Sequence, residues 1–359
     1  MIVKEYGYEY DAELDKDLFE RTFNKNASDF IDGAYALRSG RDAIKTIARE
    51  FEPCVAFLPA LSCDSMILPF RMYGHQLVFY KYNENLSIEL SDLRSLLQKN
   101  KNKTILFLYM DYFGIKAISD SELLELKQAN NNIVFIHDST HTFLNSTKTI
   151  FKPDYILASA RKWINIPDGG LLWCNRKLKN QSFTNDTSFA YKRLEAQQLR
   201  HSFFNTGDKT LKTQYRTIFS TVSDIIDNDP MPSRMTSYSF EILKKTDFET
   251  IKKIRQNNAS VLINILSSSQ RIQVLQISSS VSNLYVPFLV DNRNNVQDKL
   301  NKIGIFNTII WPISKEQKEA CENAKYVEKH MLAAPCDQRY TIDDMKYIGQ
   351  EIVRVVNEE

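Results

Sequence analysis

A lysine stands at the point where the sequence predicts that a buried strand ends. Lys162 follows the apolar run that begins at Tyr155, and the chain then passes through Pro167–Gly170 into another apolar run. In open α/β sheets, ligands bind outside the carboxyl ends of the strands. A lysine there offers an amine that can bind a carbonyl carbon covalently or move a proton. Most lysines are solvated surface residues, so Lys162 alone is weak evidence for a site.

A carboxylate closes a second apolar run of the same kind. Asp138 ends the run that begins at Asn132, and His141 follows three residues later. An acid at the carboxyl end of a buried strand points into the crevice where such sheets bind ligands. The alternative is a structural role as the N-cap of the next helix, for which aspartate is also preferred. The chain between Asp138 and Lys162 is long enough for a helix or loop plus one strand, so both side chains can lie at neighbouring strand ends.

The sequence indicates an anion site nearer the beginning of the chain. Ser39-Gly40-Arg41 opens a stretch, Ala43–Ala48, whose apolar residues recur with helical spacing. The first turn of a helix has free backbone N–H groups, and the helix dipole favours a negative charge there by about 0.3–1 kcal/mol at an exposed site. A phosphate is therefore a suitable ligand. A serine N-cap without any ligand is also common.

Together, these three features match the requirements of pyridoxal 5′-phosphate (PLP). This cofactor needs a lysine for its aldehyde, a carboxylate facing its ring nitrogen and an anion cradle for its phosphate. Lys162, Asp138 and the helix start at Ser39-Gly40 are residues of these types. The sequence therefore predicts a PLP enzyme in which Lys162 holds the cofactor as a Schiff base and Asp138 keeps the ring nitrogen protonated.

The elements that must position these residues alternate between strand and helix from about residue 40 to residue 175. The predicted strands are Cys54–Pro59, Gln76–Tyr82, Thr104–Met110, Asn132–Asp138, Tyr155–Ala160 and Gly170–Asn175. Several are nearly continuous apolar runs, which are typical of strands buried on both faces of a mainly parallel sheet. Amphipathic stretches such as Ser91–Lys99 and Asp120–Gln128 lie between them. The alternation predicts an α/β fold.

The second half of the chain has a different pattern. Residues 186–227 are polar and helical without an obvious strand, and Asp227–Pro232 is a breaker. The elements predicted after it are the helices Phe240–Leu266, Asn295–Ile303 and Ile342–Val356 and the strands Asn283–Val290, Phe306–Pro312 and Met331–Cys336. We therefore expect a large domain in residues 1–235 and a smaller C-terminal α+β domain in residues 236–359.

Composition argues against several other classes of protein. The net charge of the 359 residues is +2, too small to indicate nucleic acid as the main partner. No apolar run approaches the roughly 20 residues that a membrane span needs. The five cysteines are scattered and form no CxxC pair, and the histidines lack metal-like spacing. We expect a cytoplasmic protein without a membrane span, a nucleic-acid partner or a metal.

Further motifs extend over most of the chain. They are Ser39-Gly40, Leu58–Cys63, Tyr112-Phe113-Gly114, Asp138–His141, Ser159–Lys162 with Gly169-Gly170, Arg255–Asn258, Lys302–Ile305 and Trp311-Pro312. With these motifs the sequence resembles the DegT/DnrJ/EryC1/StrS group of sugar aminotransferases, which are PLP enzymes of fold type I. Two positions depart from the group's pattern: Cys63 replaces an aromatic residue over the cofactor ring, and Ser159 lies three positions before the lysine instead of five. The chain would be a divergent member.

The resemblance implies roles for further residues. The phosphate would be held by Ser39, Gly40, Arg41 and Ser159. His141 would lie at the ring hydroxyl, and Cys63 would lie beside the ring. Arg161, next to the lysine, could meet the phosphate or a substrate anion, and Arg339, in a loop of the small domain, could bind a substrate carboxylate. A purely structural role is the alternative for both, and for a loop arginine such as Arg339 it is the more common one.

The resemblance also implies the reaction. Lysine at position 162 favours transamination, with glutamate as the amino donor and a nucleotide-linked keto-sugar as the acceptor, for a surface polysaccharide or glycan. A homodimer with its active site between two subunits is expected. Two alternatives stay open: a PLP enzyme of another reaction class, such as a lyase or a condensing transferase acting on an amino acid, and a non-catalytic protein of the same fold. The pair Asp138 and Lys162 argues against the second.

Overall fold

The computed structural model describes residues 4–22, 25, 28–145, 150–275 and 281–359. The strands are β1 (Tyr6–Gly7), β2 (Phe30–Ile31), β3 (Ala34–Leu37), β4 (Val55–Pro59), β5 (Gln76–Tyr80), β6 (Ile105–Met110), β7 (Ile133–Asp138), β8 (Tyr155–Ala158), β9 (Gly170–Cys174), β10 (Gln273–Val274), β11 (Tyr285–Leu289), β12 (Ile305–Phe306) and β13 (Met331–Pro335). The helices are α1 (Lys16–Thr22), α2 (Gly40–Ala48), α3 (Asp64–Met72), α4 (Leu90–Lys99), α5 (Asp120–Ala129), α6 (Ser188–Thr206), α7 (Lys209–Thr221), α8 (Ser223–Asp227), α9 (Ser237–Lys245), α10 (Phe248–Leu266), α11 (Arg293–Lys302), α12 (Lys315–Ala320), α13 (Glu322–His330) and α14 (Ile342–Asn357).

An eight-stranded mixed sheet forms the centre of the large domain. Its strand order is β2-β3-β9-β8-β7-β6-β4-β5, and the pairs between β5, β4, β6, β7 and β8 are parallel. Strands β9, β3 and β2 complete it with antiparallel pairs. The six strands predicted between residues 54 and 175 are all present, each within two residues of its expected ends. The predicted α/β fold with a mainly parallel sheet is confirmed.

Helices cover both faces of this sheet because its strands are apolar on both sides. One core cluster joins the sheet to α2 and α3, and a second cluster on the other face includes the apolar residues of α4 and α5. Every residue of β4 and β6 is buried. Burial of one large aliphatic or aromatic side chain contributes about 1.5–3 kcal/mol, so these two layers fix the strand ends where the candidate site lies.

A smaller sheet, of order β10-β11-β13, is antiparallel and packs with α10, α11 and α14 around its own core. Strand β1 pairs in parallel with β12, so the beginning of the chain lies against the C-terminal region. The division at residue 235 stays a prediction. None of the helices in the described ranges has the length and apolarity needed to cross a membrane.

Two predicted elements of the C-terminal half differ from the structure. The helical stretch Phe240–Leu266 is broken, because α9 ends before Thr246 and the Asp247 side chain caps the start of α10. Of the predicted strand Phe306–Pro312, only Phe306 lies in a strand, as the second residue of β12. Ile310 and Trp311 instead pack against the core of the large sheet, and Ile309 packs against the core of the small one, which explains the apolar pattern without a strand.

Candidate functional site

Lys162 and Asp138 lie at the carboxyl ends of neighbouring parallel strands. Asp138 is the last residue of β7 and pairs in register with Leu157 of β8. Lys162 follows β8 at the end of a short 3₁₀ turn. Both side chains line one small cavity of about 50 Å³, here called the inner cavity. The structure therefore brings together the amine and the carboxylate that the sequence singles out.

One oxygen of Asp138 is already committed within the chain, and the other is available. Asp138 is 5% exposed. The backbone N–H of Thr140 donates to Oδ1 at 2.9 Å, which closes a turn; in the described residues between β7 and β8 no helix follows for Asp138 to cap, so the N-cap alternative is wrong. Oδ2 accepts no hydrogen bond from the described residues. Because Asp138 lines the inner cavity, a ligand such as a protonated ring nitrogen could donate to Oδ2.

The amine of Lys162 loses its proton more readily than the amine of a lysine on the surface. Burial lowers its pKa below the usual 10.5. The nearby Cys63 raises the pKa in opposition, and Arg161 lowers it further. A lowered pKa gives more neutral amine at physiological pH, which is the form that attacks carbonyls and accepts protons.

The N-terminus of α2 reaches the same cavity because a glycine lets it approach the sheet. A Cβ atom on Gly170 would lie 2.1 Å from the carbonyl carbon of Ser39. The hydroxyl of Ser39 caps the helix, accepting from the Asp42 backbone N–H at 3.1 Å and donating to the Asp42 carboxylate at 2.6 Å. Ser159 lies beside Gly40, with 3.5 Å between its Cβ and the position of a Cβ on Gly40. The predicted helix start thus lies at the inner cavity.

Arg41 also lines the inner cavity, but its guanidinium has partners elsewhere. It pairs with Asp227 at 3.1 Å and donates to the carbonyl and hydroxyl oxygens of Ser223, both at 3.4 Å. These contacts connect α2 to α8. The backbone N–H of Arg41, in the first helical turn, stays available for an anion.

Two more predicted residues lie near the lysine. Cys63 lines the inner cavity as the N-cap residue of α3. His141 is 1% exposed, and burial together with the charge of Lys162 lowers its pKa well below 6.5, so the imidazole is neutral. The backbone N–H of Phe113 donates to His141 Nδ1 at 3.4 Å, which leaves the proton on Nε2. His141 can therefore donate one hydrogen bond without carrying a charge.

A second cavity of about 360 Å³ adjoins the first and shares Arg161, Lys162 and Trp311 with it. We call it the adjoining cavity. Its volume is within the range of small-molecule sites. Burial and the nearby Arg193 lower the pKa of Arg161 to about 9, so this arginine is still charged at neutral pH. Its Nε atom is buried without a partner among the described residues, and an anionic ligand would supply one.

The N-terminal segment contributes an acid that sequence reasoning missed. Glu9 lines the adjoining cavity and pairs with Arg193 at 2.7 Å. Burial opposes its ionisation, but Arg193 and Arg161 lower the pKa of Glu9 to about 2. No local pattern marks Glu9 in the sequence, because its partners lie more than 150 residues away in the chain.

Arg339 reaches the adjoining cavity with its guanidinium already bound. It makes a bidentate pair with Asp337, at 2.8 Å for both Nε and Nη2, and donates to the carbonyl of Glu9 at 3.0 Å. Arg255, from a motif of the sequence, lies beside it and donates to the hydroxyl of Tyr10 at 2.8 Å. The role of Arg339 toward a substrate carboxylate stays a prediction, and such a ligand would compete with Asp337.

Comparison with known proteins gives a likeness in structure alone. No protein-family model matches the sequence, and no curated protein matches it. The solved structure of PseC from Helicobacter pylori, an aminotransferase involved in the biosynthesis of pseudoaminic acid, superimposes with a TM-score of 0.69 at 14% identity, covering 99% of this chain and 100% of that one. A DegT DnrJ EryC1 StrS aminotransferase from Brucella abortus gives 0.64 at 15% identity, covering 95% and 88%. The chain has the fold of these aminotransferases.

A third structure, NtdA from Bacillus subtilis with bound PMP, gives a TM-score of 0.64 at 14% identity and covers 97% of this chain and 78% of that one. Coverage of nearly the whole chain includes both the large sheet and the smaller C-terminal sheet. The fold type I architecture predicted from the sequence is therefore confirmed. At this level of identity the likeness establishes the fold, and the chemistry must be argued from the residues.

Proposed function

We propose that the protein is a PLP-dependent aminotransferase that transfers an amino group from glutamate to a nucleotide-linked keto-sugar for polysaccharide or glycan biosynthesis. The observation that carries the proposal is the convergence of the Lys162 amine and the free Oδ2 of Asp138 on one cavity at the N-terminus of α2. These are the three groups that PLP needs, and each is incompletely satisfied without a ligand.

The residues around the inner cavity fit the cofactor. Lys162 would hold it covalently, Asp138 would face its ring nitrogen, and the first N–H groups of α2 with Ser159 would bind its phosphate. The neutral His141 would donate to the ring hydroxyl, and Cys63 would lie beside the ring. When bound, PLP supplies an electron sink for the charge that develops on a substrate carbon as its proton leaves.

The other steps belong to the side chains of this chain. Nζ of Lys162, with its lowered pKa, would accept the proton from the substrate carbon and return it later. Arg161 is charged, and its Nε has no partner in the described part of the chain, so it would orient an anionic group of the substrate in the adjoining cavity. Trp311, which lines both cavities, would exclude water from the lysine.

The test uses the purified protein loaded with PLP. Borohydride reduction followed by peptide mass analysis should place the trapped cofactor on Lys162, and incubation with glutamate should release 2-oxoglutarate. Lys162→Ala should lose both signals. Lys177→Ala, which removes an exposed lysine just after β9, should keep both. A trapped adduct without 2-oxoglutarate from glutamate would instead indicate a PLP enzyme of another reaction class.

We further propose a cytoplasmic homodimer with its active site between two subunits. The resemblance of the sequence supports the dimer, and the five free cysteines support a reducing compartment. Light scattering should give a mass of about twice 41.7 kDa. A monomeric mass for the active, PLP-loaded protein would overturn the dimer proposal.

A further inference from the structure

The turn that carries Lys162 is too short to fix the position of this residue by itself. It is a 3₁₀ helix of three residues, Ala160–Lys162, and its N-cap residue, Ser159, makes no side-chain capping hydrogen bond. The backbone N–H of Trp163 closes the turn by donating to the Ala160 carbonyl at 2.8 Å. A single turn gains few hydrogen bonds for the backbone order that it needs, so contacts from other parts of the chain must hold it.

Three side chains from distant parts of the chain donate to the carbonyl of Trp163, the residue after the lysine. Nε2 of Gln338 donates at 2.8 Å, the hydroxyl of Tyr10 at 3.0 Å and Nη2 of Arg255 at 3.3 Å. Gln338 follows β13, Arg255 belongs to α10, and Tyr10 follows β1. The turn after β8 of the large sheet is therefore held from the C-terminal region and from the N-terminal segment.

The side chain of Trp163 extends this connection to Asp138. Trp163 is fully buried, and its indole N–H donates to the Thr140 carbonyl at 2.6 Å. The hydroxyl of Thr140 accepts from the Ser159 backbone N–H at 3.1 Å, and the backbone N–H of Thr140 donates to Asp138. Trp163 thus connects the turn of Lys162 with the turn of Asp138, so the same contacts fix both groups relative to each other.

Arg255 is a buried cation whose five N–H donors make five hydrogen bonds in the described chain. Arg255 is 1% exposed. Its Nε donates to Gln338 Oε1 at 2.9 Å, Nη1 donates to two backbone carbonyls just before β11, and Nη2 donates to Tyr10 and Trp163. The guanidinium also lies 4.7 Å from the centre of the Trp163 ring. Because a buried charge that loses such partners is costly, Arg255 holds these elements in one arrangement.

We propose that Arg255 and Gln338 are positioning residues for Lys162, which they hold through the carbonyl of the following residue. Neither side chain is part of the described lining of the inner cavity, so both act on the reaction through the lysine. The inference rests on the proposed function, in which the Lys162 amine accepts and returns a proton. The two residues keep that amine at the buried end of β8, where water has little access to it.

A loosened turn has a measurable consequence for the lysine itself. Burial is the main cause of the lowered pKa of Lys162, so an amine that regains water should have a pKa closer to 10.5 and a smaller neutral fraction near neutral pH. The ionisable groups that act on this amine or share its cavity are Arg41, Cys63, Asp138, His141 and Arg161. None of them is changed in the test, so a change in the pKa of Lys162 reports on its position.

The test uses the apoprotein, so it needs neither cofactor nor turnover. Competitive labelling with acetic anhydride over a series of pH values, followed by peptide mass analysis, gives the apparent pKa of Lys162. Gln338→Leu removes one donor to the Trp163 carbonyl without a change in charge, and Arg255→Gln removes another together with a charge. Both should raise the pKa of Lys162 and slow its labelling near neutral pH about two- to tenfold, as expected for the loss of one buried hydrogen bond.

Three further variants serve as controls. Arg293→Gln changes another buried arginine of the C-terminal region, in α11, which lines neither cavity in the described chain, and Lys162 should label as in the unchanged protein. The double variant Arg255→Gln/Gln338→Leu should have less than the summed effect, because both residues donate to the same carbonyl. Tyr10→Phe removes the third donor with the loss of a single oxygen atom and should act in the same direction, even if the larger changes prevent folding.

Three results would overturn the inference. Unchanged labelling of Lys162 in Gln338→Leu, Arg255→Gln and Tyr10→Phe would show that the turn does not depend on these contacts. An effect of Arg255→Gln alone would assign the effect to its charge, and an equal effect of Arg293→Gln would indicate general loosening.

Each of these results leaves the aminotransferase proposal intact if the unchanged protein traps PLP on Lys162 and forms 2-oxoglutarate from glutamate. Failure of both signals in the unchanged protein would reject the proposed function instead, and the labelling of the apoprotein would still report on the position of the lysine.

Discussion

Replacement of Asp138 by asparagine distinguishes two roles of this residue, a contact with the cofactor and the closing of a turn. Asparagine closes such turns as aspartate does, and its side-chain oxygen can still accept from the Thr140 backbone N–H. The change removes the charge that Oδ2 presents to the inner cavity. If Oδ2 binds a protonated ring nitrogen, the loss is one charge-assisted hydrogen bond, worth about 1.5–3 kcal/mol. PLP affinity should therefore fall by a factor of roughly 10 to 150.

The same change should not weaken the protein without cofactor. Asp138 is 5% exposed, so its replacement removes a buried charge and keeps the hydrogen bond that closes the turn. We expect Asp138→Asn to have an unchanged or slightly higher free energy of unfolding as the apoprotein. The stabilisation that saturating PLP provides should shrink by about 1.5–3 kcal/mol, because ligand stabilisation follows the logarithm of affinity.

The assay is urea unfolding of apoprotein and of PLP-loaded protein, together with a PLP titration followed by absorbance. The matched control is Asp154→Asn, because Asp154 is a carboxylate just before β8, at the other end of the same sheet, and accepts from the Phe135 backbone N–H at 2.9 Å. Its PLP affinity should not change. Equal PLP affinity in Asp138→Asn and the unchanged protein would show that Asp138 only closes a turn, and the assignment of the ring-nitrogen partner would be wrong.

Two further predictions concern the lysine and the helix start. Because burial lowers the pKa of Lys162 in the folded state, the charged amine costs stability below that pKa, and the cost disappears above the unfolded value of about 10.5. Lys162→Met should therefore raise the apoprotein's unfolding temperature at pH 7, and the gain should vanish as the pH approaches 10.5; a gain independent of pH would contradict this. Gly170→Ala places a Cβ 2.1 Å from the Ser39 carbonyl carbon, so it should lower the free energy of unfolding by about 1–3 kcal/mol. The control is Gly40→Ala, whose Cβ would lie 3.5 Å from the Cβ of Ser159 and should leave the free energy of unfolding unchanged. Urea titrations measure both.

The predictions from sequence were accurate where a local pattern reflects burial on both faces of the sheet. Continuous apolar runs marked β4, β6 and β7 to within one residue, and their ends located Asp138. The antiparallel strands β2 and β3 were missed, since they are short and have no such run. Helical periodicity predicted the C-terminal helix from Ile342 correctly, but it could not show the break at Asp247, which is a capping contact.

The sequence could predict which side chains of the candidate site lie together only where those side chains end neighbouring strands. The carboxyl ends of neighbouring parallel strands lie at the same edge of a sheet. Lys162 and Asp138, which each follow or end such a strand, could therefore be placed together. The direction of Arg41 could not be inferred, because it depends on Asp227, a residue of α8. Tyr8 and Glu9 belong to a segment with positive φ at Tyr8 and no periodicity, so nothing local marks them.

The pairing of β1 with β12 has a consequence for the order in which the protein folds. Residues 6–7 can find their partner strand only after residue 306 has been made, so the contact closes a loop of about 300 of the 359 residues. Contacts between residues so far apart in sequence form late in folding. Closing the long loop costs chain entropy before the contact contributes any stabilising interaction. The large sheet should therefore be in place before Tyr8 and Glu9 reach the adjoining cavity, and the space that we propose for the substrate should be the last part of the molecule to form.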